Sequence, residues 1–324
     1  MKIIEPSASI MRHDVSPYEF VEKVGRTCYK SEDKITDDSA KEFVHNLIER
    51  GHWAMLEHET LYIETTYDFM SNLLTTFATV PDVFRFLNIT CHSLGSVISG
   101  SFRAFYDLLK NHPDIVLNPL RVLLSNNYPE VFGEYPDVNK ESLWLGCVRE
   151  ITRDYFIQHY GDVKDTISHH LTHTVRFVCD RGVSHELVRH RVASFAQEST
   201  RYCNYSKDKF GNEITVIRPY FFGSEKSDDS YRYRLWYNSC QHSEDVYFTL
   251  LEDGASPQEA RSVLPNSLKT EIMVTATEEE WQHIINLRYI GTTGAPHPQM
   301  KQVMAMVVND LSVESRGRLK YEAD

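Results

Sequence analysis

The chain has 324 residues, of which 41% are hydrophobic, enough apolar material for one large domain or two ordinary ones and too much for a mainly disordered chain. Lys plus Arg number 34 against 46 Asp plus Glu, a formal charge of −12. That balance repels polynucleotides and argues against a DNA- or RNA-coating role, while leaving room for a small anion in a local basic pocket. The six cysteines (Cys28, Cys91, Cys147, Cys179, Cys203, Cys240) form no C-x-x-C pair, which predicts reduced thiols and neither a disulfide framework nor a metal site. Glu5 and Pro6 stand where a secretion signal needs an apolar run, and no stretch reaches the roughly 18 apolar residues of a membrane span. The expectation is a cytoplasmic protein without a membrane partner.

In chain order, Ser16-Pro17-Tyr18-Glu19 supplies an N-cap, a Pro at the first helical position and a capping-box Glu ahead of Phe20, Val21 and Val24. Ser39 and Glu42 repeat the box before Phe43, Val44, Leu47 and Ile48, with Gly51 as the stop. Residues 60–66 alternate and predict a strand. Residues 67–125 read as mainly helical, broken at Pro81 and around Gly95 and Gly100, and 126–142 as a polar connector. Residues 170–182 predict a strand ending at a turn, after which Ser184 caps a helix beginning HELVRHRVASF. Ser256-Pro257-Gln258-Glu259 is a further capping box, 268–277 a strand, and Thr277 with Glu280 caps a helix running through WQHIINLR. Helices and strands interleave without a βαβ rhythm, so the fold class is α+β.

The densest unusual segment is 189–201, which holds Arg189, His190, Arg191, Gln197, Ser199 and Arg201 in an acidic chain. Guanidinium forks match phosphate oxygens, and hydroxyls complete such a cradle. Read as a helix, the segment places Val188, Val192 and Phe195 on an apolar stripe and Arg191 on the face of Leu187. An Arg bordering a buried face needs an anionic partner. The helix after Thr277 repeats the pattern: Trp281, Ile284, Ile285 and Arg288 fall at i, i+3, i+4 and i+7. The bland alternatives are a solvated charged face for the first segment and a snorkelling Arg at the helix end for the second. A third segment, GHWAMLEHE (51–59), lacks the H-E-x-x-H spacing of a zinc hydrolase. P-loop, dinucleotide-binding and G-x-S-x-G motifs are all missing from the chain.

Arg189-His190-Arg191, seven residues and then Ser199 resembles the signature of the flavin-dependent thymidylate synthases, and Ser199-Thr200-Arg201-Tyr202 extends it. GHWAMLEH looks like that family's Gly-His…Glu-His segment, GRTCYKS (25–31) like its Arg-x-Cys-Tyr element, Arg261 like a later substrate-binding Arg, and His283 to Arg288 like the closing helix with the catalytic Arg. The likeness covers roughly 1–66 and 168–310, so 67–167 reads as a mainly helical insertion in a single domain spanning 1–324.

The resemblance implies reductive methylation of dUMP to dTMP with 5,10-methylenetetrahydrofolate, FAD and NADPH, in a homotetramer whose sites lie between subunits. It implies FAD binding by His52, Ala54, Arg189, His190, Arg191, Gln197 and His283. It implies nucleotide binding by Glu186, Arg189, Gln197, Glu198, Ser199, Thr200, Arg201, Arg261 and Arg288, with Arg288 assisting ionisation of pyrimidine N3. No base is positioned for Ser199, which receives a binding role. Ala54 stands where the family often has Ser or Thr, Ala196 replaces a common polar residue, and Thr277-Glu278-Glu279 matches a flavin-contacting tripeptide only by position. The competing reading is a non-catalytic nucleotide- or RNA-binding protein that uses the RHR helix as an anion cradle; the charge of −12 and the inward Arg288 weigh against it.

Overall fold

The computed structural model describes residues 1–80, 82–92, 95–135, 145–161, 164–201, 203–207, 211–222 and 231–321. Pro81, Tyr202 and the second half of the expected connector (136–142) lie outside that set. Ten strands are described: β1 (Lys2–Ile4), β2 (Ser7–Met11), β3 (Thr60–Thr65), β4 (Leu87–His92), β5 (Gly95–Ser101), β6 (Val148–Ile151), β7 (Thr172–Asp180), β8 (Ala193–Gln197), β9 (Thr215–Ile217) and β10 (Lys269–Thr277). With the helices around them they make an α+β protein, divided into two compact units.

The first unit comprises residues 1–12, 24–33 and 173–324. Its main sheet has the order β2-β7-β10-β8, with β2 antiparallel to β7 and β8 antiparallel to β10. β10 is buried along nearly its whole length, as a central strand must be, and its Thr275 hydroxyl is satisfied by Thr174 at 2.6 Å. Val175, Phe177, Ile272 and Val274 pack with Trp281, Ile284, Met300 and Leu311 from the helices Glu278–Ile285, Pro298–Ala305 and Val308–Glu314. Thr277 caps the helix Glu278–Ile285 by accepting from Glu280 N–H at 3.3 Å, as the capping box anticipates. A buried ion cluster ties this helix down. Glu278 accepts from Arg318 Nε at 2.6 Å and Nη2 at 2.8 Å, and lies 2.9 Å from His173 Nε2.

The second unit comprises residues 13–23 and 34–172 around an antiparallel sheet of order β4-β5-β3-β6. It contains the whole of the expected insertion. Two of its strands, β4 and β5, were not anticipated in the stretch read as helical. Leu87 and Ile89 alternate with polar Asn88 and Thr90, and Gly100 leaves room on β5 for Leu87 of β4, so the glycines sit inside the ladder instead of breaking a helix. The start of the expected connector is also helical, over Asn118–Asn127 and Pro129–Phe132. Ser39 is the first residue of its helix, not the cap. Its hydroxyl is used by Thr36 and Glu22, so the expected box with Glu42 does not form. The boxes at Ser16 and Ser256 form as read.

The largest departure concerns residues 181–197. The helix there is Arg181–Leu187, capped by Asp180, whose carboxylate accepts from Val183 N–H at 2.8 Å. Ser184 lies inside it and donates to the Arg181 carbonyl at 3.0 Å. The chain then turns through Val188–Val192 and enters β8, which pairs Gln197 with Ile272 and Ala193 with Ala276. Long-range pairing with β10 outweighs the local helical pattern.

Candidate active site

Arg189, His190 and Arg191 therefore occupy a turn between a helix and a strand. The apolar stripe expected there does not exist: Val188 is 39% and Val192 72% exposed. Arg189 and Arg191 face solvent, and their guanidinium groups make no hydrogen bond or ion pair with a described residue. Arg201 is exposed as well. The expectation that Arg191 borders a buried face fails, because the turn lifts it off the core. Residues 189–191 are therefore not on the helical face that the competing reading requires.

Arg288 does turn inward, and it is the hub of the site. It sits on a π-helical turn, Asn286–Ile290, which closes with Gly291 N–H donating to the Asn286 carbonyl at 2.8 Å. Gly291 at φ +87° ends the turn in the left-handed conformation that favours glycine. Nε of Arg288 donates to His190 Nε2 at 2.9 Å, Nη1 to Glu186 Oε2 at 3.0 Å and Nη2 to the Glu186 carbonyl at 3.2 Å. Among the described residues these bonds occupy three of the five guanidinium N–H groups and leave two to meet another acceptor.

His190 is buried, and its neighbours fix its state. Burial, then the charge of Arg288 and His283, holds its pKa down at about 4, so the ring is neutral near pH 7. Since Nε2 accepts from Arg288, the proton of the neutral ring is on Nδ1, which faces Glu280 Oε1 at 3.6 Å. His283 meets the same ring edge-on, with centroids 5.7 Å apart. His190, Glu280 and His283 could enclose a metal ion by distance. The tautomer argues against it, because the lone pair of His190 is already given to Arg288 and a proton stands on the nitrogen facing the gap.

A second group extends from the same helix to β8 and β10. Gln197 donates to Ser184 Oγ at 2.8 Å and Thr270 Oγ1 at 3.2 Å, and Arg181 donates to the same Thr270 hydroxyl at 3.2 Å. Glu198 is buried and bonded to Lys269 at 2.9 Å, so its carboxylate is spent on an internal pair. Lys269 also reaches Glu271 at 2.6 Å, and Glu271 is further held by Lys30 and Arg176. Ser199 N–H donates to the Cys28 carbonyl at 3.3 Å, and its hydroxyl accepts from Arg201 N–H at 3.3 Å, an arrangement for shaping a turn. Arg261 is exposed and donates to Thr200 Oγ1 at 3.2 Å.

The first unit thus brings together Glu186, His190, Gln197, His283 and Arg288 along the helix Arg181–Leu187 and the elements beside it, and pairs Thr200 with Arg261. His52 and Ala54 belong to the second unit, at the 3-10 turn Trp53–Glu57, where Ala54 is exposed. Of the tripeptide 277–279, Thr277 is a helix cap and Glu278 is locked to Arg318. Arg181, Ser184, Lys269, Thr270 and Glu280 were missed from the sequence. Lys269 and Glu271 had a signal, since two charges at i and i+2 of an apolar strand share one face and need a partner there.

Residues 135–311, more than half of the chain, match the family model described as thymidylate synthase complementing protein. The chain belongs to this family. The chain is also similar to curated proteins named flavin-dependent thymidylate synthase. The one from Geobacter sulfurreducens is 36% identical over 108 residues, 33% of this chain and 43% of the relative. The one from Pyrococcus horikoshii is 34% identical over 133 residues, 41% of this chain and 51% of the relative. The matched region spans about half the length of these relatives or less. Among solved structures, the UMP/dUMP methylase PolB from Streptomyces cacaoi bound with 5-Br dUMP is similar at 14% identity and a TM-score of 0.39, covering 98% of this chain and 99% of that one. No described helix of this family member is long and apolar enough to cross a membrane.

Proposed function

We propose that the protein is a flavin-dependent thymidylate synthase, converting dUMP to dTMP with 5,10-methylenetetrahydrofolate as one-carbon donor, FAD as cofactor and NADPH as reductant. The observation that carries the reading is the half-buried Arg288, oriented by His190 and Glu186 with two N–H groups to spare. A pyrimidine activated at C5 gathers negative charge over N3 and its flanking carbonyl oxygens, and a fixed guanidinium stabilises that charge and favours loss of the N3 proton. Glu186 keeps Arg288 oriented before the nucleotide arrives and lowers the cost of holding a cation there. Gln197 is fixed by Ser184 and Thr270, and Arg261 with Thr200 supplies donors suited to the 5′-phosphate.

The fit to FAD is tested by the turn 189–191. Two exposed guanidiniums without partners among the described residues, in a chain of charge −12, suit the diphosphate of a dinucleotide cofactor. When bound, the flavin supplies the hydride chemistry that no side chain can perform. Arg189 and Arg191 would hold it, and His190 and His283, whose rings meet edge-on, would line its site.

Assembly into a homotetramer with sites between subunits belongs to the same proposal. Val188 and Val192, exposed on either side of the unpaired arginines, support it, because a second subunit would cover the valines while the cofactor neutralises the charges. Cytoplasmic location is proposed on the six free thiols, five of them buried.

The test is the visible spectrum of the purified protein, with and without dUMP, followed by assay of dTMP formation with methylenetetrahydrofolate and NADPH. Flavin absorbance that responds to dUMP, together with turnover, is the expected result. A folded protein that binds neither FAD nor dUMP overturns the proposal, and tighter, salt-sensitive binding of polynucleotide would favour the anion-binding alternative.

A further inference from the structure

The geometry points to Glu280 as a positioning residue that sets the direction of Arg288 through His190, an inference that rests on the proposed role of Arg288. Arg288 Nε–H can only donate, so the 2.9 Å bond to His190 Nε2 exists only while that nitrogen carries a lone pair. The ring proton must then be on Nδ1, and a buried N–H needs an acceptor. Glu280 Oε1 is the carboxylate oxygen that faces it, at 3.6 Å, near enough to orient the N–H electrostatically though longer than a hydrogen bond. Among the described residues that oxygen is buried and makes no hydrogen bond, and the His283 ring is its other close neighbour. With His190 neutral, the contact is an N–H directed at a carboxylate and not an ion pair.

Backbone geometry fixes the arrangement. Glu280 lies in the first turn of the helix whose continuation carries Arg288, and its N–H is held by Thr277. His190 comes from the turn before β8, so the bridge Glu280–His190–Arg288 reaches out of the helix to a separate element and returns to it two turns later. Losing the Glu280 carboxylate frees the ring to place its proton on Nε2. A donor there faces the Arg288 donor, and the guanidinium must rotate away from His190.

The test uses the full chain with 15N-labelled His and Arg, read by NMR without any assay, and then steady-state kinetics. His190 and Arg288 signals are assigned by His190→Gln and Arg288→Lys. The wild type is expected to show His190 protonated on Nδ1 and a slowly exchanging Arg288 Nε–H. Glu280→Ala is expected to shift the ring to the Nε2–H form, to speed Arg288 Nε–H exchange, and to lower kcat on the order of 10²-fold with KM for dUMP changed less than about twofold, the size of loss that misplacing a positioned group brings. Glu280→Gln keeps an acceptor oxygen and is expected to restore part of both signals and rate; it also serves should Glu280→Ala fail to fold. An unchanged His190 tautomer in Glu280→Ala, or an unchanged kcat beside a changed tautomer, overturns the inference. If the wild type makes no dTMP, the proposed function fails, while the two NMR signals still decide whether Glu280 governs the His190–Arg288 bond.

Discussion

Arg288 donates through Nε to His190 and through Nη1 to Glu186, at 2.9 and 3.0 Å, so this cation is fixed on two sides by residues that stand before and after Arg189 in the chain. The signature sequence therefore contributes to the site by holding a distant arginine as well as by offering its own. Arg288→Ala is expected to lower kcat/KM by about 10²–10³, the loss typical of one preorganised donor, with the fold and most FAD binding retained. Steady-state dTMP formation and flavin absorbance of the same preparation check both halves. Near-normal turnover removes the proposed role.

Arg191 presents the opposite case. Its side chain is exposed and unpaired among the described residues, so it contributes little to folding. Arg191→Ala is expected to change unfolding free energy by less than about 0.5 kcal/mol. One charge-assisted contact to the cofactor, worth roughly 1.5–3 kcal/mol, should disappear, weakening FAD binding about 10- to 100-fold. Flavin titration of the apoprotein measures it, and full occupancy in the variant contradicts the assignment.

Glu278 is expected to behave as a structural carboxylate. Burial raises its pKa, but hydrogen bonds from Arg318 and His173 outweigh that and hold it below the usual range. Glu278→Ala would leave the Arg318 guanidinium uncompensated in a largely buried position. The expected cost is about 3–5 kcal/mol, read from urea unfolding. A loss under about 1 kcal/mol would show the cluster to be unimportant for stability.

Acid sensitivity should centre on Glu271. Burial pushes its pKa up, but Lys269 and then Lys30 bring it down to about 2. A carboxylate depressed in the folded state stabilises the protein above its unfolded pKa, and the contribution is lost as pH falls from about 4.5 through about 2. The linkage is on the order of 3 kcal/mol. Glu271→Gln is expected to flatten the pH dependence of unfolding free energy across that window while lowering stability at pH 7.

The helix that carries Arg288 was legible because everything that shapes it is local. Its Thr277 cap, the inward spacing of Trp281, Ile284 and Ile285, and the position of Arg288 one step further all follow from neighbouring residues. Residues 189–197 were not. Their apolar spacing suits a helix as well as a strand, and the choice is made by β10, more than 70 residues away in the chain. The same blindness hid β4 and β5, whose pairing gives the glycines a purpose that no local pattern reveals. Glu280 was visible only as a capping residue, since its second contact is with a residue about 90 positions earlier.

The π turn at Asn286–Ile290 holds one residue more than a regular helical turn needs. Deleting a single residue there would let the segment wind as an ordinary α-helix and would swing everything downstream by about 100°, the helices bearing Met300 and Leu311 included. The guanidinium would then miss both His190 and Glu186, and the seating of those helices on Trp281 and Ile284 would be lost with it. Aim and packing are thus written into one residue: the extra member of this turn both points the arginine and sets the angle at which the following helices meet the core.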